Sequence, residues 1–335
     1  MRGLHLWIAA MTLAGAMGDC ARKPEPQAKQ VVLYCSVDQS VAEPIIAAFE
    51  AQSGIDVLPR FDTEAAKTVG LVQRLRAEQG SPVADVFWSS EIFYTIRLAR
   101  EGVFASYHDE QSKTWPTPLK DPNLLWHGFA LRGRVIGYHT ERVPNPPRSL
   151  EEVLNPIWKG RVVMATPEFG TTGGDVASWF VHYGVDRTQE ILAGLKANDI
   201  RLVEGNSTAV RLVATGQADV CFTDTDDIYA AKRNGWPLDM VPLDQAGHGS
   251  LAIPNTAALI KNGPHPGSAQ VLMAFLLSDT LERFLVKSDS HNSPIHPSLF
   301  ADFAAYHLEN PLEISYGSIS DQLTDAIQTA REMLR

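Results

Sequence analysis

The apolar run Val220-Cys221-Phe222 breaks off into Thr223-Asp224-Thr225-Asp226-Asp227, and a helical pattern starts at Ile228 and closes at Gly235. A buried strand turning straight into a helix is the repeating unit of an α/β fold. Open α/β sheets place ligands at that strand edge. Carboxylates this dense repel one another, so a fold tolerates them best with water, a cation or a donor-rich ligand among them. The loop therefore reads as one wall of a ligand cleft. The competing reading is a solvated acidic helix cap, because Asp is common at N-caps and in first turns.

The rest of the chain keeps the same alternation. Strand patterns at 31–35, 55–58 and 84–88 are followed by helical patterns at 41–52, 68–78 and 91–100, which Gly54, Gly80 and Gly102 end. A second series follows: strands at 161–165, 200–203 and 218–222, helices at 172–182, 187–197, 207–215 and 226–233. Two longer strand patterns, 129–139 (FALRGRVIGYH) and 249–260 (GSLAIPNTAALI), lie at the borders of that series. The last third is helical, at 269–277, 281–286 and 318–334. A chain of 335 residues exceeds the ~250–300 at which one core stops growing. We therefore expect two doubly wound α/β lobes joined by two crossing strands. The first lobe is discontinuous, 31–128 plus 255–335, and the second, 129–254, is inserted. Such an arrangement leaves a cleft between the lobes.

Residues 1–30 stand apart as a signal peptide and tether. Arg2 is followed by an apolar stretch at 6–17, too short to span a bilayer, then by Cys20. This is the form of an export signal, with a periplasmic or extracytoplasmic destination. Lipidation of Cys20 is one of two open readings, since Asp19 stands where a lipoprotein signal carries a small residue. Residues 21–30 (ARKPEPQAKQ) suit a tether. The net charge of −10 argues against nucleic acid and against a basic membrane-binding surface. Cys35 and Cys221 each end an apolar run and read as buried free thiols rather than a bridge; no zinc spacing is present.

In parallel sheets the strand-to-helix loops leave from one edge. Several here are polar: Ser36-Val37-Asp38-Gln39, Asp62-Thr63-Glu64, Ser89-Ser90-Glu91, Gly170-Thr171-Thr172-Gly173-Gly174, and Gly205-Asn206-Ser207-Thr208 beside the acidic loop. Hydroxyls and glycines ahead of a helix suit an anion, because free backbone N–H groups collect there; plain capping is the alternative. No Gly-Lys-Ser/Thr follows, so this is not a P-loop. Arg132 and Arg134 can reach an anion or form structural ion pairs. Trp88 and Tyr229 are candidates for an aromatic wall. The ligand-binding candidates are Ser36, Asp38, Thr63, Glu64, Ser89, Glu91, Thr171, Thr172, Asn206, Asp224, Asp226, Asp227 and Tyr229.

The segments VVLYCSVDQSVAEPIIAAFEAQSGI, TEAAKTVGLVQRL, ADVFWSSE, RSLEEVLNPIWKGRVVMATPEFGTTGG, DTDDIYAA and IPNTAALI resemble the solute-binding proteins of ABC importers. Within these, the ferric-iron-binding periplasmic branch and its sugar-phosphate- and phosphonate-binding relatives are most similar. The resemblance implies a two-lobed periplasmic-binding-protein fold, a monomer that closes on a small ligand and docks on an inner-membrane permease. It also implies Fe³⁺ as cargo, beside a phosphate or carbonate. Asp226 and Asp227 stand where the branch has paired tyrosines, Asp38 where it has a histidine, and Tyr229 remains as a phenol. Those four are the metal candidates if the ligand is iron. Thr171, Thr172 and Asn206 match the anion positions. A phosphorylated sugar or phosphonate bound without iron is the alternative.

An enzyme is the competing class: acidic groups beside an anion site can hold Mg²⁺ for phosphate-ester hydrolysis. Ser36 or Cys35 would need a histidine base, and none is placed for it; His182 and His248 read as surface or structural. We expect a binding protein with no resident cofactor.

Overall fold

The computed structural model describes residues 29–62 and 68–335. The leader, Cys20 and most of the tether lie outside those residues, as do Thr63 and Glu64. Among the described residues, no helix is long and apolar enough to cross a membrane.

The fold is α/β with two lobes. In the first, β1 (Gln30–Cys35), β2 (Asp56–Phe61) and β3 (Val86–Ser89) run parallel in the order β2-β1-β3. They alternate with α1 (Gln39–Ser53), α2 (Val69–Ala77) and α3 (Phe93–Arg100). After a two-residue β4 (Phe104–Ala105) comes the long β5 (His127–His139), then α4 (Leu150–Val153). The second lobe repeats the parallel plan. Its strands β6 (Val162–Ala165), β7 (Arg201–Val203) and β8 (Val220–Asp224) lie in the order β8-β6-β7. Its helices are α5 (Gly170–Tyr183), α6 (Val185–Ala197), α7 (Asn206–Ala214) and α8 (Thr225–Arg233). Then come β9 (Leu238–Pro242), β10 (Ala252–Ile260), α9 (Pro266–Leu276), α10 (Asp279–Lys287), α11 (Pro297–Phe300) and α12 (Tyr316–Leu334).

The two strands expected to cross between lobes are β5 and β10. They pair antiparallel, and each continues into a different lobe: β10 onto β3, β5 onto β8 and β9. Pro254 lacks an N–H for the ladder, and the β5–β10 register shifts at Pro254/Asn255. The local sequence pattern does not predict β9. Pro237 and Pro242 bracket its short run like a loop, yet it pairs along the outer half of β5.

Alternation along the strands builds three cores. Val31, Leu33 and Cys35 of β1, with Val86 and Trp88, face a cluster under α1, α9 and α10. Val163 and Cys221 face a cluster with Val210 and Ile228. The opposite faces, Val32 and Tyr34 on one sheet, Met164, Val220 and Phe222 on the other, share a cluster with Phe93, Trp179, Ile319 and Leu323. Cys35 and Cys221 thus lie in separate clusters as free, buried thiols, and burial pushes both well above the usual thiol range. α12 touches both lobes: the Ser320 hydroxyl donates to Phe93 O of α3 at 2.8 Å, and Lys196 of α6 donates to Leu334 O at 3.0 Å.

Candidate functional site

The strand-to-helix edges of both lobes meet at Arg132, midway along β5. Two adjoining cavities open there. The smaller, about 30 Å³, is lined by Asp38, Ser90, Arg132, Thr171, Thr172, Asn206 and the acidic loop, among others. The larger, about 270 Å³, shares Asp38, Ser90, Arg132, Asp226 and Asp227 and extends to Arg233, Asp289 and Asn292. The first admits little more than an ion or a water, the second a small organic group.

Register builds the charged floor. Arg134 stands opposite Asp224 in the β5–β8 ladder. Its Nη1 donates to Asp224 Oδ1 at 2.8 Å and its Nε to Asp175 Oδ2 at 3.0 Å. Two residues along and on the same strand face, Arg132 Nη1 donates to Asp226 Oδ2 at 3.2 Å, and its Nε lies 3.4 Å from Asp224 Oδ2. Its Nη2 donates to Ser90 O of the other lobe. Burial would raise Asp224, but Arg134 and Arg132 outweigh it and hold the carboxyl below its ordinary value. Burial would lower Arg132, but Asp226, Asp224, Asp227 and Asp38 keep it raised, so the guanidinium stays charged among four carboxylates.

Much of the acidic loop is also tied locally. Asp227 Oδ2 accepts from the Thr223 hydroxyl at 2.7 Å and from Asp224 N–H at 3.4 Å, forming a capping box that starts α8. Capping and cleft lining thus coexist in one loop. Oxygens of Asp224, Asp226 and Asp227 still lie within 4.8 Å of one another.

Opposite lies a region suited to an anion. α5 and α7 both begin without a side-chain cap, at Phe169 and Gly205, and both first turns line the smaller cavity. The N–H groups of an uncapped first turn lack intrahelical partners and carry the positive end of the helix dipole. Thr171 is spent internally: its hydroxyl donates to Asp224 Oδ2 at 2.6 Å and accepts from Arg134 and Asn206. Asn206 Nδ2 also donates to Asp224 Oδ2, at 3.1 Å. Thr172 holds only a long contact to Asn206 Oδ1, 3.4 Å.

The glycines of this loop serve packing. A Cβ on Gly173 would lie 2.5 Å from Pro167 O, and one on Gly174 1.9 Å from the Phe93 ring. Only Gly170, at φ 62°, meets the left-handed need that favours glycine.

Other predicted site residues fall elsewhere. Ser36 is buried beneath the cleft, accepting from Ser90 N–H at 2.9 Å and from the Thr68 hydroxyl at 3.1 Å. Ser89 and Glu91 are fully buried. Glu91 accepts from Phe93 N–H at 2.6 Å and Tyr94 N–H at 3.2 Å, capping α3, and burial pushes its carboxyl up to about 7. Their neighbour Ser90 lines the cavities instead. Trp88 is core, beside Phe129. Tyr229 lines neither cavity and packs on His291 and Tyr306.

The sequence model of the bacterial extracellular solute-binding protein family matches residues 31–288. Iron uptake protein A1 of Synechocystis sp. is 26% identical over 291 residues, covering 82% of this chain and 80% of its own. Among solved structures, iron-bound HitA from Pseudomonas aeruginosa superimposes with TM-score 0.79 at 24% identity, over 91% of this chain and 99% of its own. AfuA from Actinobacillus pleuropneumoniae, solved with fructose-6-phosphate, gives TM-score 0.77 at 17% identity, over 91% and 98%.

Proposed function

The chain belongs to the bacterial extracellular solute-binding proteins, the substrate-binding components of ABC importers, and we propose that its cleft captures a small organic phosphate or phosphonate for a membrane permease. The observation that carries this reading is the pair of uncapped helix starts, α5 and α7, converging on one cavity beside Thr172 and Arg132. Their N–H groups would hold the phosphoryl oxygens. Asp38, Asp226, Asp227 and Ser90 would take hydroxyl or amine groups of the organic part in the larger cavity.

Ferric iron is the second reading, favoured by the converging oxygens of Asp224, Asp226 and Asp227. Carboxylates are hard ligands and suit such an ion. Asp38, Asp226 and Asp227 would hold it. Two features count against the fit: Arg132 already sits 3.2–3.4 Å from oxygens of Asp226 and Asp224, and Tyr229 lines neither cavity. Catalysis gains no support at Cys35, whose thiol is buried and held protonated, or at Ser36, buried beneath the cleft.

The same reading takes the protein as a monomer, with lobes at 31–128 plus 255–335 and at 129–254. α12 leans on the second lobe as well as the first. Lipidation of Cys20 belongs to the same proposal.

The test is thermal unfolding with fructose 6-phosphate, orthophosphate and ferric citrate in parallel. A ligand at a hundredfold its Kd adds about 2.7 kcal/mol to apparent stability. We expect the phosphate ester to raise the melting temperature. Stabilisation by ferric citrate alone, with visible colour, would overturn the assignment.

A further inference from the structure

α8 presents Asp226 and Asp227 to the cleft from its first turn, and the rest of the helix has its own contacts. Tyr229 and Arg233 are four residues apart and so share a face. The Tyr229 ring stands edge-on to His291 at 5.0 Å and to Tyr306 at 5.4 Å, each at 79°. His291 and Tyr306 are themselves stacked, 4.7 Å apart at 4°. Arg233 pairs with Asp289. Both members of that pair line the larger cavity.

These partners follow α10 of the first lobe along the chain, and their segment is also stitched to the crossing strand β5. Ser293 and Leu131 exchange two backbone hydrogen bonds of 2.7 Å on the inner half of β5. Ile295 and His296 N–H donate to Glu282 of α10 at 3.0 and 2.7 Å. α10 packs Leu281 and Leu285 into the core under β1. His291 sits in the left-handed region, φ 44°, with Nδ1 2.7 Å from Val286 O. A non-glycine residue persists there only where its surroundings over-determine it.

We propose that Tyr229 and Arg233 are positioning residues: with Asp289, His291 and Tyr306 they form a latch that holds the two lobes together at the mouth of the larger cavity, and so sets how long a ligand stays. The inference rests on the cleft being the ligand site, and not on which ligand it takes. The exposed ion pair contributes little alone. The three packed rings carry most of the hold, because aromatic pairs add attraction beyond the area they bury. Closure acts on escape more than on entry, as most affinity changes within one site do.

The test uses the full chain and two readouts. Small-angle scattering without ligand compares wild type, Tyr229→Ala, Arg233→Glu and the swapped pair Arg233→Glu with Asp289→Arg. Stopped-flow tryptophan fluorescence follows fructose 6-phosphate. We expect Tyr229→Ala to enlarge the radius of gyration, Arg233→Glu, which sets a like charge against Asp289, to enlarge it less, and the swap to restore it. We expect Tyr229→Ala to release the sugar phosphate about tenfold faster at an unchanged association rate. An unaltered radius in Tyr229→Ala overturns the latch, as does a swap that fails to restore Arg233→Glu. A sugar phosphate that does not bind wild type would sink the ligand assignment instead, while the scattering comparison still decides the latch.

Discussion

Asp224 is the most heavily engaged side chain of the cleft. It meets Arg134, Arg132, Thr171 and Asn206, and it is 3% exposed. A carboxylate so enclosed is held by its partners, and removing one of them leaves buried charge or an unmet acceptor. That separates two adjacent threonines. Thr171→Val loses a 2.6 Å bond to Asp224 and should lower stability by about 1–3 kcal/mol, whatever the ligand. Thr172→Val loses only a 3.4 Å contact. It should leave the melting temperature nearly unchanged while weakening a phosphate ester about five- to tenfold, an effect of about 1 kcal/mol. Calorimetry with fructose 6-phosphate on both variants checks this. Equal affinity for Thr172→Val and wild type would remove its hydroxyl from the site.

α3 shows how one capping residue ties an element to pH. Glu91 is wholly buried at the helix start, and burial raises its carboxyl from 4.5 to about 7. A carboxyl raised in the folded state binds its proton more tightly there than in the unfolded chain. Its contribution is therefore complete below about pH 4.5 and is lost as pH rises towards 7. Glu91→Gln should flatten this slope. Wild type should lose up to about 3 kcal/mol relative to the variant between pH 4.5 and 7.5, measured by urea unfolding at stepped pH. Parallel pH profiles for the two proteins would contradict the assignment. Elements of this kind were legible where local pattern decides them. α1 ends where Gly54 adopts φ 66° and donates to Glu50 O, and the strands show as apolar runs. The partner of each polar group was not legible. Arg134 meets Asp224 through β5–β8 register, ninety residues apart along the chain, which no local spacing encodes. Ser89 ends β3 and is buried, while Ser90, one position on in the turn after the strand, lines the cavity; nothing in their adjacent sequence positions tells the two apart. Gly173 and Gly174 looked like room for an anion, whereas Pro167 and Phe93, brought in by packing, explain them.

At the scale of the molecule, two mixed sheets, parallel in β2-β1-β3 and β8-β6-β7, turn their strand-to-helix edges toward each other. β5 and β10 tie the lobes, and a shared apolar cluster lies behind the gap. The Phe93 ring of α3 packs directly on Gly174 of α5 there, so the lobes touch behind the cleft as well. Arg132 bridges the gap itself, bound to Ser90 of one lobe and Asp226 of the other. A fixed guanidinium among the carboxylates already supplies the positive charge that a bound metal ion would bring, and the proposed anion site lies beside it, at two helix starts without a side-chain N-cap. Quantifying phosphorus and iron by elemental mass spectrometry, in protein purified from its own host and washed of salts, tests that division most directly. The account predicts stoichiometric phosphorus in an organic ester or phosphonate, released on unfolding, with iron far below one per chain. Stoichiometric iron, with inorganic phosphate or with no phosphorus at all, would contradict it.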